Sequence, residues 1–371
     1  MWLRKKLNPG LKTLNTITIS KQNILHNLEV LATLQPKSAF FPVLKSNAYG
    51  HGILPMLEIL KGQHFPYLVV DSFPEYQLIH KHSKFNVLLI GETLPENYRF
   101  FDVKRTAFAI HTFQALHVLA KLHKKVRLHL FFNTWMHREG IQEQNLASML
   151  DFIKEHPCLQ VEGVMSHLHS ADSDDASIQK QIAVFKKMAY QVEQAWFSPK
   201  WKHIWASAGI LKLQDEYFTA FRPWLLVYGY TPCPDQNISL SLQPALTLHS
   251  TIVSLQTVQA GEWVSYNQKW KADHDCKVAT IPFWYYEGRL RTLSWKLTYR
   301  YHGKNYPQLG TICMNLSSCL ANEEMKIGDP IELISKEPWA SNSIETIAKN
   351  AGTIPYEILI RLDKGIRRIV I

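Results

Sequence analysis

Eight short apolar runs, each followed by a segment long enough to hold a helix, constrain this chain most: Phe40 to Leu44, Tyr67 to Asp71, Val87 to Ile90, Ala107 to Ile110, Val126 to Phe132, Val161 to Ser166, His203 to Ala206 and Phe221 to Val227. All eight fall within about 190 residues, the span of one compact α/β unit. Continuously apolar runs suit strands covered on both faces, and helical crossovers between them imply parallel pairing. Eight strand-helix units predict a (β/α)8 barrel of TIM type. The alternative, an open doubly wound sheet, calls for a GxGxxG turn after its first strand, and the chain has none there. Ahead of the first run, Ser20 is placed to cap a helix whose Ile24, Leu25, Leu28 and Leu31 share one face.

The texture changes near residue 240, after the Pro- and Asn-containing stretch "TPCPDQNIS". "LTLHSTIVSLQTVQAGEWVSY" alternates with period two, "YRYHGKNYPQLG" holds a hairpin-like turn, and "MKIGDPIELIS" reads as a strand pair around Gly328 and Asp329. This predicts a barrel over 12–240 and a mostly β domain over 241–371 that also takes in a strand from 1–11, closed by helical stretches near Ser343 to Ala351 and Tyr356 to Leu362. At 371 residues and 46% apolar composition the chain can bury two such cores.

No apolar run approaches the ~20 residues of a membrane span, and the basic start Met1 to Lys6 leads into no signal-peptide core, so a cytoplasmic protein without membrane partners is expected. The net charge of +10 comes from scattered Lys and Arg, which argues against nucleic acid and for small anionic ligands. Five cysteines (Cys158, Cys233, Cys276, Cys313 and Cys319) form no CxxC pair or zinc-like grouping, so neither a structural metal nor a disulfide framework is expected.

In a barrel the chemistry sits where strands end on their C-terminal side. Collecting polar residues there gives Lys45, Arg138, His167, His203, Ser207 and Arg222, and the β domain adds Tyr266 in "WVSYNQKW". A lysine nucleophile, a Ser/Arg rim suited to phosphate and a separate tyrosine fit Schiff-base chemistry on a pyridoxal ring.

"VLKSNAYGHG" (43–52) resembles the lysine motif of the alanine racemase family, whose usual form is V-V-K-A-N-A-Y-G-H-G. The resemblance continues in order through "NTWMHREG" (133–140), "GVMSHLHSAD" (163–172), "ASAG" (206–209), "FRPWLLVYG" (221–229), "EWVSYNQ" (262–268), "IPFWYYEGRLRTLS" (281–294) and "LGTICMN" (309–315), nearly the whole chain. It implies pyridoxal 5'-phosphate (PLP) as cofactor, an amino acid as substrate, and a homodimer that interconverts L- and D-alanine for cell-wall peptidoglycan. Lys45 is then the PLP lysine and one base, with Tyr266 of the partner subunit as the opposite base. His167 and Arg222 neighbour that tyrosine, His203 supports Arg222, and Arg222 faces the pyridine nitrogen. Tyr49, Ser207 and the backbone N–H groups near Trp224 and Leu225 match phosphate ligands. Arg138 and the backbone of Met314 match groups near the substrate carboxylate, while Asp172, Tyr285 and Arg291 match the substrate entrance.

Several positions depart from that pattern. Tryptophan replaces glycine at Trp135, Trp224 and Trp284, Asn267 replaces glycine, and Asn133 and Asn315 replace aspartate. Phe131 stands where many members carry a carbamylated lysine, and Lys364 falls near the C-terminal phosphate-binding segment. The tryptophans argue for a crowded site and a small substrate. Serine or broader specificity, or a PLP-binding protein without turnover, are the alternatives. A decarboxylase of the same architecture is disfavoured by "TICMNLSS", which lacks the expected cysteine and acidic motif.

Overall fold

The computed structural model describes residues 12–169, 175–212, 215–231 and 240–371, and divides into two compact units. One is Asn23–Tyr49 with Met56–Gln243; the other is Met1–Gln22, Gly50–Pro55 and Pro244–Ile371. The stretch 1–11, which the sequence analysis joins to the β domain, lies outside the described residues.

The chain enters through β1 (Thr16–Ile19) and α1 (Lys21–Leu34). Ile24, Leu28 and Leu31 of α1 are fully or nearly buried, the face its spacing predicts. The first unit then alternates β2 (Ala39–Phe40), β3 (Leu68–Val70), β4 (Val87–Leu89), β5 (Thr106–Ile110), β6 (Val126–Phe131), β7 (Leu159–Met165), β8 (Trp201–His203) and β9 (Ala220–Phe221) with α2 (Lys45–Tyr49), α3 (Ile53–Ile59), α4 (Phe73–His82), α5 (Phe113–Ala120), α6 (Glu143–Glu155), α7 (Asp175–Gln194) and α8 (Ser207–Lys212). A 3-10 stretch, Pro95–Phe100, stands where a helix would follow β4.

Strands β3 to β8 pair in parallel in chain order, and β2 pairs in parallel with β9. Backbone bonds close the ring. On one side Leu44 N–H donates to the Val69 carbonyl (2.8 Å) and Val69 N–H to the Pro42 carbonyl (2.9 Å); on the other, Thr219 N–H reaches the Lys202 carbonyl (3.0 Å) and Arg222 N–H the Trp205 carbonyl (3.0 Å). The result is the eight-stranded parallel barrel that the apolar runs predict. Most runs are slightly shorter as strands than they read, the run His203 to Ala206 meets its strand β8 only at His203, and the first and last runs are cut the most. The first stops at Phe40 because the chain turns at Lys45, and the last stops at Phe221 because Pro223 has no N–H for a ladder and Leu225–Tyr228 winds into a 3-10 turn.

Phe41 plugs the barrel axis. Its ring meets Tyr67, Trp201 and His203 edge-on at 5.4, 5.3 and 5.4 Å, and His129 at 6.4 Å, so two histidines are locked into an aromatic core.

In the second unit β1 pairs antiparallel with β10 (Leu246–Thr251) and parallel with β19 (Arg367–Val370). The rest of that nine-stranded sheet comes from β11 (Ser254–Val258), β14 (Cys276–Ile281), β15 (Thr298–Tyr301), β16 (Lys304–Leu309), β17 (Ser317–Ala321) and β18 (Pro330–Ile334), with the short pair β12 (Trp263–Val264) and β13 (Trp270–Lys271) beside it in sequence. The hairpin β15–β16 turns through His302 and Gly303 at φ 48° and 77°, the left-handed pair that a two-residue turn requires. Helices α9 (Ile344–Ala351) and α10 (Pro355–Arg361) fall where the sequence places them, and the Ser343 hydroxyl caps α9 by accepting from Thr346 N–H at 3.2 Å.

Candidate active site

Lys45 begins a left-handed turn at the C-terminal end of the first barrel strand. Ser46, Asn47, Ala48 and Tyr49 have φ of 54°, 56°, 53° and 48°, four consecutive non-glycine residues in a region that costs each about 1–2 kcal/mol. Compensating contacts are visible. Ala48 N–H donates to the Leu44 carbonyl at 2.8 Å, and the Glu75 carboxylate at the start of α4 accepts from Asn47 N–H and Asp71 N–H, both at 3.2 Å. Tyr228 donates its hydroxyl to the Val43 carbonyl at 2.8 Å and lies 5.6 Å from the Tyr49 ring, which fixes the strand just before the lysine. Strain of this kind, held in place by its surroundings, gathers where a side chain must be aimed.

Arg222 is 4% exposed, and both terminal nitrogens bond inside the barrel: Nη2 donates to the Ser166 carbonyl at 2.5 Å, while Nη1 donates to the His203 carbonyl at 3.0 Å and to His203 Nδ1. The guanidinium can only donate, so His203 Nδ1 accepts and its Nε2 carries the proton. That proton points at His129 Nδ1, 2.7 Å away, which leaves the His129 proton on Nε2, 3.9 Å from a Glu162 carboxylate oxygen. That carboxylate accepts its hydrogen bond from the Tyr67 hydroxyl and makes none with His129. Both rings must be neutral for this chain of bonds to exist. Burial, then the Arg222 charge, pushes His129 down to about 3 and His203 well below the imidazole range. Burial also lowers Arg222 to about 9, which keeps it charged at neutral pH.

His167 is pushed down to about 3 by burial, then by the charges of Arg222, Arg138 and Lys45. Its loop is held by Gln181 on α7, whose amide donates to the carbonyls of Thr134 (2.6 Å) and His167 (3.2 Å). Ser207 accepts from Trp224 N–H at 3.0 Å, and the Trp224 ring stands 5.1 Å from His167 and 6.5 Å from Tyr49. Leu225 is buried beside it in sequence. Lys45, Tyr49, Arg138, His167, His203, Ser207, Arg222, Trp224 and Leu225 therefore all belong to the barrel unit, and the contacts above link most of them.

Arg138 directs Nε and Nη2 to the Glu139 carboxylate at 3.1 and 2.5 Å, on the surface. Phe131 packs with Ala109, Met165 and Ile90, and its ring lies 4.7 Å from His111. Asp172 lies outside the described residues.

Tyr266, Tyr285, Arg291 and Met314 belong to the β unit. Tyr266 is 66% exposed in a short 3-10 turn, where its carbonyl accepts from the Thr311 hydroxyl at 3.2 Å. Met314 is exposed, and its carbonyl accepts from Tyr286 N–H at 3.2 Å, next to Tyr285. Arg291 is exposed and opens the 3-10 turn Arg291–Leu293.

The sequence analysis missed Glu75, His129, Glu162, Tyr67 and Gln181. Of these, only His129 carries a signal: a lone imidazole inside the apolar run "VRLHLFF" needs a buried partner. Among the described residues no cluster of His, Cys, Asp or Glu could hold a metal ion.

Comparison with known proteins places these features in a family. The model for the alanine racemase N-terminal domain matches residues 19–232, and that for its C-terminal domain matches 245–370. The alanine racemase of Treponema denticola is 29% identical over 95% of this chain and 97% of its own length, and that of Clostridium novyi 27% identical over 95% and 94%. The crystal structure of alanine racemase from Streptomyces lavendulae is 25% identical with a TM-score of 0.88, covering 97% of this chain and 98% of that one. The Bacillus anthracis alanine racemase structure with bound L-Ala-P has a TM-score of 0.90 at 24% identity, covering 97% and 96%.

Proposed function

Because the chain belongs to the alanine racemase family, we propose that it interconverts L- and D-alanine with PLP, using Lys45 of one subunit and Tyr266 of the partner subunit as opposed bases. The observation that carries this reading is Lys45 presented on a constrained left-handed turn at a barrel strand end, in the same unit as the buried Arg222 and its neutral partner His203. The donor set fits PLP: a primary amine, a buried arginine, the Ser207 hydroxyl, and Tyr49 with the N–H groups of 224 and 225 for a phosphate. Bound PLP withdraws electrons from Cα of an attached amino acid and acidifies its proton.

The chain's own groups supply the rest. Arg222, backed by the neutral His203 and His129, would hold the ring nitrogen and would not readily release a proton to it or take one from it. By withholding a proton from the ring, Arg222 would favour prompt return of a proton to Cα, and so racemisation over transamination. Lys45 then moves the proton on one face and Tyr266 of the partner subunit on the other; inversion requires both. By the family resemblance, Arg138 and the Met314 backbone are the groups that would orient the carboxylate, and Tyr285 and Arg291 those that would line the approach.

A shared site requires a second copy. The β unit supports this by exposing Tyr266, Tyr285, Tyr286, Met314 and Leu316, an apolar and aromatic set that a monomer would leave in water. Among the described residues no helix is long and apolar enough to cross a membrane. A cytoplasmic homodimer that provides D-alanine for peptidoglycan accords with these features.

Tyr266→Phe is expected to keep bound PLP and to lose Cα proton exchange on one face by about 10²–10⁴-fold, the worth of one general base. Following exchange of L- and D-alanine separately in deuterated water checks it. Equal loss for both enantiomers would overturn the two-base assignment.

A further inference from the structure

Tryptophan is used here in places where its shape is a liability. Of the eleven tryptophans, ten lie in described residues, and four of those (Trp135, Trp196, Trp295 and Trp339) have φ of 77°, 68°, 66° and 60°. They are 50%, 94%, 51% and 58% exposed, so none is a core residue whose packing would call for the conformation. For a bulky side chain a positive φ is a true outlier, whereas glycine adopts it without a Cβ penalty.

Three of the four occupy backbone motifs that call for glycine. Trp196 follows α7 as the left-handed residue of a helix-terminating motif: Phe197 N–H bonds the Val192 carbonyl (3.3 Å), and Trp196 N–H bonds the Glu193 carbonyl (3.0 Å). The same motif ends α9, where the bonds run from Thr353 to Ala348 and from Gly352 to Lys349; there the left-handed residue is Gly352 at φ 67°. Trp295 is the third residue of the turn Leu293–Lys296, closed at 3.0 Å, after Ser294 at φ −49° and ψ 132°, which is type II geometry with its glycine place filled. Trp339 holds the third place in Glu337–Ala340, directly after Pro338 and closed at 3.3 Å.

The buried tryptophans are also ill served. Trp201, Trp205 and Trp284 bury their indole N–H with no hydrogen-bond acceptor, against the ordinary behaviour of a core tryptophan. Trp284, Trp135 and Trp224 are the three positions where the family pattern that this chain resembles has glycine instead of tryptophan.

So many costly tryptophans in one chain point to a single cause. The codon UGA is read as tryptophan in some genetic codes and as glycine in others, so one reassignment exchanges the two at every site it encodes. We propose that the polypeptide made in its own cell carries glycine at positions 135, 196, 224, 284, 295 and 339. The Schellman-type helix end, the two type II turns and the loop at 135 then regain an unstrained backbone, and at 284 a buried indole N–H without an acceptor is removed. At 224 the loss of the indole opens the space between His167 and Tyr49.

Peptide mass spectrometry of the protein isolated from its source cells tests this. Peptides spanning these six positions are expected to be lighter by the mass difference between an indolylmethyl group and a hydrogen at each one; tryptophan masses would overturn the proposal. A second test needs no source cells. The triple variant Trp196→Gly, Trp295→Gly and Trp339→Gly, remote in sequence from the residues assigned to the cofactor, is expected to unfold several degrees higher than the tryptophan chain. An unchanged or lower midpoint would contradict the reading at those three positions.

Discussion

Replacing Lys45 with alanine is expected to remove the visible absorbance of lysine-bound PLP and to lower alanine racemisation by at least about 10²–10⁴-fold, since the variant loses both the covalent anchor and one of two bases. The left-handed turn over Lys45–Tyr49 makes this variant informative. The turn is held by backbone bonds and by the Glu75 carboxylate, none of which involves the lysine amine, so the fold survives the change and the loss reads as chemistry. Absorbance spectra of the two proteins with equal PLP, followed by racemisation rates, check it. An unchanged spectrum would remove Lys45 from its role.

Acid is expected to unfold the barrel unit through its histidines. His129 and His167 titrate near 3 in the folded chain and His203 well below the usual range, all because burial disfavours the charged ring. Unfolded imidazoles titrate near 6.5. Between those limits the unfolded chain binds protons that the folded chain does not, so stability rises with pH there. It is complete above about 6.5 and is lost as pH falls. Each histidine contributes about 1.4 kcal/mol per pH unit, roughly 4 kcal/mol per unit for the three together. Urea unfolding at about pH 7 and about pH 5.5 measures this. A stability that stays flat over that interval would mean the rings are charged or solvated, and the hydrogen-bonded order Arg222, His203, His129 would fail with it.

How much of this is legible in the sequence depends on what kind of interaction sets each feature. The barrel strands are, because full burial on both faces leaves uninterrupted apolar runs such as "TAFAI" and "VLL". The polar residues at strand ends are legible for a related reason: charged groups closing an apolar run need an explanation, and Lys45, His167 and Arg222 share one. The turn after Lys45 is not. Ser46, Asn47, Ala48 and Tyr49 include no glycine, so nothing local announces four positive φ values; tertiary contacts from Glu75 and Tyr228 impose them. Nor is the Arg222–His203–His129 relay, since its links are 74 and 19 residues apart and His129 hides within a strand. The tryptophans at 196, 295 and 339 read as ordinary aromatic residues until their φ values are known.

The central claim is a racemase that works Cα from both faces. Its most direct test follows the Cα proton of L-alanine, D-alanine and serine by NMR in deuterated water, with protein purified in the presence of PLP. The account predicts exchange accompanied by inversion, fastest for alanine. A protein that shows the absorbance of lysine-bound PLP yet exchanges neither enantiomer would contradict it, and would leave a cofactor-binding protein without the reaction.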